Sequence, residues 1–107
     1  MSRVVVLGGG ESGVGSAVLA KVKGFDVFLS DNGKIEDRYA DELRKWDIPF
    51  EQGGHTEDLI LNADEVIKSP GIPDTVPMVR KVTEKGIRII SEIEFAGRYD
   101  SAKKICI

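Results

Sequence analysis

A glycine-rich segment near the start of the chain has the residue types and spacing of a phosphate-binding loop. Residues Gly8–Gly13 read GGGESG, which satisfies G-x-G-x-x-G directly after an apolar run. In this arrangement the first glycine permits a tight turn, Gly10 lets a phosphate approach the backbone, and Gly13 lets a helix pack closely on a strand. Exposed N–H groups and the positive end of the helix dipole favour a diphosphate there, and Ser12 can add a hydroxyl donor. The motif alone does not choose between NAD, FAD and a nucleotide-sugar, and a glycine turn that serves only the fold has the same pattern.

An acidic residue closes the second predicted strand. Asp31 lies eighteen residues after Gly13, near the position where an acidic side chain hydrogen-bonds the ribose of a bound dinucleotide. Asp31 could equally accept from a base N–H or, because Asn32-Gly33 follows it, simply initiate a turn. The sequence therefore leaves both a ligand-binding role and a turn-forming role open for Asp31.

A loop with two prolines follows the fourth predicted strand. Ser69–Pro73 reads SPGIP, and the prolines stiffen it. In a sheet ordered 3-2-1-4-5, strands one and four are neighbours at the topological switch point, so their C-terminal loops flank one crevice. Ser69, Pro70 and Gly71 would then face the glycine loop across a ligand, although a rigid connection without ligand contact fits the same residues.

Short apolar runs alternate with amphipathic stretches along the whole chain. This alternation predicts an α/β fold, with a Rossmann-like parallel sheet of about five strands and helices on both faces. The predicted strands are Arg3–Leu7, Asp26–Ser30, Pro49–Gln52, Glu65–Lys68 and Arg88–Ile90. The first predicted helix runs from a Ser12 cap to about Lys23, with Val14, Ala17, Val18 and Val22 inward. The second follows the helical spacing of Ile35, Tyr39, Leu43 and Trp46, and a short third helix follows a Thr56 cap. The fourth begins at Thr75 and Pro77, and the fifth runs from a Ser91–Glu94 capping box to about Arg98.

The end of the chain carries a further strand pattern. Lys103–Ile107 predicts the beginning of a sixth strand, and the sequence stops within it. We therefore expect residues 1–107 to be a piece of a longer protein. The single cysteine, Cys106, reads as a small apolar residue of that strand.

Composition narrows the class of protein. A chain of 107 residues with 41% hydrophobic and 31% charged residues is typical of one globular domain. The net charge of −3 and the scattered basic pairs disfavour a nucleic-acid partner. No run approaches the ~20 apolar residues of a membrane span, and no signal-peptide pattern opens the chain, so we expect a cytoplasmic protein. The lone His55 predicts a helix-entry role and no metal site, and no catalytic residue is predicted.

Taken together, the segments resemble one protein family, the Mur ligases. The resemblance rests on five segments, whose order and spacing are more specific than any one of them: Val6–Gly13, Ser30-Asp31, Gly53–His55, Lys68–Pro73 and Ile90–Phe95. It covers essentially the whole chain and is strongest for the D-glutamate-adding members.

Members of that family have three domains and join an amino acid to a UDP-muramoyl precursor, using ATP and magnesium through an acyl phosphate. The resemblance implies that residues 1–107 are the N-terminal domain, which holds the UDP part of UDP-N-acetylmuramoyl-L-alanine and needs no cofactor of its own. It places Glu11, Ser12 and Gly13 at the diphosphate, Asp31 and Asn32 at the uracil or ribose, and Gly71 near the same ligand. The partners implied are this precursor and the remaining domains of the same protein.

Two other functions remain open from the sequence. The glycine motif with Asp31 suits an NAD- or FAD-binding domain of an oxidoreductase equally well, although no substrate domain or catalytic residue accompanies it. A regulatory nucleotide-sensing module that binds NAD or ATP is the third. Under the uridine-nucleotide hypothesis, Asp31→Ala should weaken nucleotide binding without unfolding the domain.

Overall fold

Among the residues that the structure describes, five parallel strands form one sheet. The computed structural model describes residues 2–69, 71–72 and 76–99. The strands are β1 (Arg3–Leu7), β2 (Asp26–Asp31), β3 (Phe50–Gln52), β4 (Glu65–Lys68) and β5 (Arg88–Ser91). The helices are α1 (Glu11–Val22), α2 (Asp37–Lys45), α3 (Glu57–Ile60), α4 (Pro77–Glu84) and α5 (Glu92–Arg98).

The strand order is β3-β2-β1-β4-β5, with every pair parallel. Val4, Val5 and Val6 of the central strand β1 are fully buried, which requires cover on both faces of the sheet. Successive side chains of a strand point to opposite faces, so Val4 and Val6 face one layer and Val5 the other. The predicted order, parallel sheet and α/β class are confirmed.

Each face of the sheet packs against its own group of helices. Val4 and Val6 share a core with buried residues of α1, α2 and α5, such as Ala17, Leu43 and Phe95. On the other face, buried residues of α3 and α4, which are Ile60, Met78, Val79 and Val82, pack with Val5. The predicted helices on both faces are therefore confirmed. No helix in the described ranges is long and apolar enough to cross a membrane.

The start of α1 differs from the sequence prediction. Gly10, in an extended conformation, is the N-cap, and its carbonyl oxygen accepts from the Val14 N–H at 2.9 Å. The helix therefore begins at Glu11, so Ser12 lies inside its first turn and the predicted Ser12 cap is wrong. Gly10 carries no side-chain cap, which leaves the first N–H groups of α1 without a local acceptor.

The inward face of α1 also differs in part. Its buried residues are Gly13, Val14, Ser16, Ala17 and Ala20. The prediction that Val22 faces inward is wrong, because that side chain is 59% exposed, and Val18 is only half-buried. The face is built from small residues because α1 approaches the glycine loop closely: a Cβ on Gly13 would lie 2.0 Å from the Gly8 carbonyl oxygen.

Other helix and strand ends agree with the sequence prediction in part. The capping box between Ser91 and Glu94 is present, and Pro77 is the first residue of α4. Strand β3 begins at Phe50 and not at Pro49, and α2 leaves Ile35 and Trp46 outside its ends. The predicted contributions of Pro70, Pro73 and Thr75, and those of Cys106 and the rest of Lys103–Ile107, lie outside the described residues.

Two glycines of α1 provide a matched test of this packing. We expect Gly13→Ala to lower the free energy of unfolding by about 3 kcal/mol, because the new methyl overlaps the Gly8 carbonyl. Gly15 lies in the same helix with open space around it, so Gly15→Ala should raise the free energy of unfolding by about 0.5–1 kcal/mol. Urea denaturation of both variants measures the difference, and equal stabilities would contradict the packing.

Candidate functional site

Three loops meet at the carboxyl edge of the sheet. The Gly8 N–H donates to the Ser30 carbonyl at 2.9 Å, and the Ser69 N–H donates to the Leu7 carbonyl at 3.1 Å. Gly8 has a φ of 109°, and a Cβ there would lie 3.0 Å from the Cβ of Ser69. The glycine loop is therefore packed between the ends of β2 and β4. The predicted proximity of the glycine loop and Ser69 is observed, whereas Pro70 lies outside the described residues.

Both carboxylate oxygens of Asp31 bind backbone N–H groups. Oδ2 accepts from Gly9 at 2.7 Å, and Oδ1 accepts from Gly33 at 2.8 Å. The second bond is the local turn that the sequence allowed, but the first links β2 to the glycine loop. A Cβ on Gly9 would lie 2.7 Å from the Ile35 side chain, so the loop has little freedom to move inward. Asp31 thus fixes the shape of the loop, and each of its oxygens keeps a second lone pair for a ligand.

The N-terminus of α1 opens at the centre of this edge. The N–H groups of Glu11, Ser12 and Gly13 stand in the first turn, where an α-helix provides no acceptors of its own. Nothing lies within 4 Å of a Cβ built on Gly10, and the side chains of Glu11 and Ser12 are exposed. This end of the helix is therefore open to an anion, which the helix dipole favours.

A buried polar network that sequence reasoning missed lies beside Asp31. The fully buried Ser30 hydroxyl is 2.8 Å from Glu51 Oε2 and 2.6 Å from His55 Nδ1. Glu51 also accepts from the Thr56 N–H at 2.8 Å and from the Thr56 hydroxyl at 2.6 Å. Thr56 therefore stands before α3 as predicted, but its side chain binds Glu51 and does not cap the helix. His55 lies outside α3, one residue before the N-cap Thr56, and its Nδ1 is next to the hydroxyl of Ser30 in β2.

The network sets the protonation of Glu51. Burial raises the pKa of this carboxyl, but the hydrogen bonds from Thr56 and Ser30, together with the charge of His55, outweigh burial. The pKa of Glu51 is therefore held below its ordinary value of 4.5. The one sequence signal for this cluster is a polar Ser30 inside an apolar strand, one residue before Asp31.

The role of Asp31 in the loop predicts a measurable loss of stability. In Asp31→Ala the Gly9 and Gly33 N–H groups lose their acceptors, so the free energy of unfolding should fall by about 2 kcal/mol. Asp41→Ala is the control, because its carboxylate makes only an exposed ion pair with Arg44 and should cost less than about 0.5 kcal/mol. Urea denaturation compares the two. Equal losses of unfolding free energy in the two variants would contradict a structural role for Asp31. The expected effect of Asp31→Ala on nucleotide binding would then remain as its only effect.

The lowered pKa of Glu51 predicts a specific dependence of stability on pH. Because the folded-state pKa lies below that of the unfolded chain, the stabilisation by Glu51 is complete above about pH 4.5 and is lost as the pH falls through the folded-state pKa. The difference in unfolding free energy between the unsubstituted chain and Glu51→Gln should therefore be largest near neutral pH and shrink in acid. Glu84→Gln, on the exposed side of α4, is the control. A difference that is constant with pH would contradict the assignment.

Comparisons of the sequence with known proteins all indicate the same family. Residues 2–91 match the family described as Mur ligase MurD-like, N-terminal domain. The UDP-N-acetylmuramoylalanine–D-glutamate ligase of Bacteroides thetaiotaomicron is 62% identical over 107 residues, which are 100% of this chain and 24% of that protein. The ligase of the same name from Porphyromonas gingivalis is 60% identical over 104 residues, 97% of this chain and 23% of that protein. The chain thus spans about a quarter of the length of these relatives.

Solved structures agree with this result. A pseudomurein peptide ligase type C from Methanothermus fervidus has a TM-score of 0.80 and 28% identity, covering 94% of this chain and 21% of that one. The UDP-N-acetylmuramate–alanine ligase MurC of Thermotoga maritima has a TM-score of 0.74 and 27% identity, covering 97% and 23%. The resemblance drawn from the glycine, Ser69–Pro73 and Ile90–Phe95 segments is thereby confirmed. The chain belongs to the Mur ligase family, as an N-terminal domain of the MurD-like type.

Proposed function

We propose that residues 1–107 form the uridine-nucleotide-binding domain of an ATP-dependent ligase that adds D-glutamate to UDP-N-acetylmuramoyl-L-alanine in peptidoglycan synthesis. The observation that carries this proposal is the open N-terminus of α1, bounded by Asp31 and Ser69 in a chain of the MurD-like family. The names of the relatives supply the substrate and the amino acid. The NAD- or FAD-binding alternative shares the glycine loop but has no support from these relatives.

The diphosphate is assigned to the start of α1. The N–H groups of Glu11, Ser12 and Gly13 can donate to its oxygens, and Gly10 leaves the space that it needs. The exposed Ser12 hydroxyl can add one more donor. Glu11 is also exposed, so its carboxylate can point into solvent while its backbone N–H faces the ligand.

The two ends of the nucleotide are assigned to the flanking loops. Asp31 and Asn32, at the end of β2, lie where the ribose or uracil would extend from a diphosphate at α1. Ser69 borders the opposite side of the same crevice, because it packs on Gly8, and Gly71 lies beside Ser69. The sequence alone assigns Pro70, which lies outside the described residues, to the same ligand. The site binds and orients the precursor.

The condensation itself is assigned to other parts of the protein. ATP and magnesium would be held by the domains that the relatives carry beyond the quarter spanned here. The proposed partners are the UDP-linked precursor and those domains, and the proposed location is the cytoplasm, where ATP and nucleotide precursors are available.

Isothermal titration of the chain with four ligands tests the proposal. We expect heat from UDP-N-acetylmuramoyl-L-alanine and from UDP, and none from NAD or ATP. Binding of NAD without UDP would support an oxidoreductase domain instead. No heat from any ligand would contradict the proposal that residues 1–107 hold the uridine diphosphate by themselves.

A substitution at Gly10 tests the assignment of the diphosphate to the start of α1. Because a Cβ on Gly10 meets nothing in the unbound chain, Gly10→Ala should fold, at a cost of about 1 kcal/mol at the N-cap position. The methyl would occupy the approach of the diphosphate, so affinity for UDP should fall at least tenfold, which corresponds to about 1.4 kcal/mol. Gly15→Ala, in the same helix and also in open space, should bind as the unsubstituted chain does. Equal affinities of the two variants would place the diphosphate elsewhere.

A further inference from the structure

A cavity of about 340 Å³ lies at the carboxyl edge of the sheet, next to the residue that follows Asp31. It is lined by Asn32, His55, Glu57, Val76, Pro77, Met78 and Lys81. Asn32 follows β2, His55 follows β3, and Val76–Met78 begin the helix after β4, so all of them stand at the edge where ligands bind in such sheets. The volume falls within the range of about 300–1,000 Å³ that is usual for small-molecule sites.

The walls of this cavity differ in chemistry. Val76, Pro77 and Met78 make one side apolar. Lys81 and Glu57 form an ion pair, so each is already partnered there. The polar groups left to face a ligand are the Asn32 amide and the His55 ring. A flat heterocycle with hydrogen-bonding groups on its edge fits this combination.

The buried network determines which nitrogen of His55 carries the hydrogen. Glu51, with its lowered pKa, is an ionised acceptor at neutral pH. The single hydrogen of the Ser30 hydroxyl therefore goes to Glu51 Oε2, and Ser30 must accept from His55 Nδ1. Whenever the imidazole is uncharged, its hydrogen is thereby held on Nδ1, which leaves Nε2 as a bare acceptor on the far side of the ring. Nε2 makes no hydrogen bond with any described residue.

An acceptor held in this orientation requires an N–H donor from the ligand. A uracil ring attached to ribose through N1 has one N–H, at N3, whereas cytosine presents a bare nitrogen at the same position. We propose that His55 Nε2 accepts a hydrogen bond from uracil N3–H and so selects uridine over cytidine nucleotides, with Ser30 and Glu51 as its positioning residues. This inference rests on the proposed function and adds the residue that distinguishes the base.

Isothermal titration with UDP and CDP tests the selection. The diphosphate and ribose are the same in both, so the ratio of their dissociation constants reports the base alone. We expect UDP to bind at least about tenfold more tightly than CDP. His55→Phe keeps a ring but removes the acceptor, so the ratio should approach one. Equal binding of UDP and CDP by the unsubstituted chain would overturn the inference and leave the proposed function intact, whereas no binding of either would overturn both.

A second pair of variants separates positioning from simple stability. Glu51→Gln releases the constraint on the Ser30 hydrogen, so His55 can place its hydrogen on Nε2 and CDP should gain relative to UDP. Thr56→Val removes a hydroxyl that binds Glu51 without touching Ser30 or His55, so it should lower stability and keep the preference for UDP. A Glu51→Gln variant that keeps the full preference would overturn the positioning role.

Nitrogen NMR of the imidazole gives a readout that does not depend on affinity. The chain contains one histidine, so its ring signals are unambiguous. We expect the spectrum of the free chain, at a pH where the imidazole is uncharged, to show hydrogen on Nδ1 and none on Nε2. Adding UDP should shift the Nε2 resonance, and CDP at equal saturation should not. A hydrogen on Nε2 in the free chain, or equal shifts with both nucleotides, would overturn the inference.

Discussion

The hydrogen bond from the Gly9 N–H to the Asp31 carboxylate is the interaction on which the geometry of this edge depends. It ties the loop after β1 to the end of β2, while the second oxygen of Asp31 closes the turn at Gly33. Two residues after Gly9, α1 begins at Glu11, and its first N–H groups have no side-chain cap. A charge-assisted bond of this kind is stronger than one between neutral groups. The proposed anion site thus has its shape without a ligand.

The sheet topology explains why the Gly9–Asp31 hydrogen bond affects loops from both halves of the sheet. Strand β1 pairs with β2 on one side and β4 on the other, so the loop after β1 has loops from both halves of the sheet as neighbours. Burial of Val4, Val5 and Val6 between two packed layers fixes the position of that strand, since a shift of one residue would turn each side chain to the opposite face. The hydrophobic core therefore determines where the glycine loop ends up, and Asp31 determines its local shape. Gly13 completes the arrangement by letting α1 lie close to the loop.

Sequence patterns predicted the sheet well because its strands are short apolar runs with clear stops. The bounds of β1 and β4 agree with the prediction, and β2 is longer by Asp31 alone. The start of α1 was missed because Ser12 is a good capping type, whereas Gly10 becomes the cap only once the Gly9–Asp31 bond has fixed the loop. The Ser30 network was missed for a different reason. It depends on the pairing of Ser30 with Glu51 across β2 and β3, and a register shift of one residue would turn Glu51 to the other face.

Affinity and specificity have separate physical sources at such an edge. In the proposed site, backbone N–H groups at the start of α1 would bind a diphosphate whatever nucleoside carries it, because they would contact only oxygens that every nucleoside diphosphate shares. Discrimination between bases must then come from side chains with a fixed donor or acceptor role. A free imidazole does not meet this condition, since its two tautomers present opposite groups. An uncharged histidine held by a buried hydroxyl and an ionised carboxylate does, because its hydrogen is confined to one nitrogen. The cost of burying Ser30 and part of Glu51 is offset by mutual hydrogen bonding, and the result is a side chain that can tell an N–H from a lone pair.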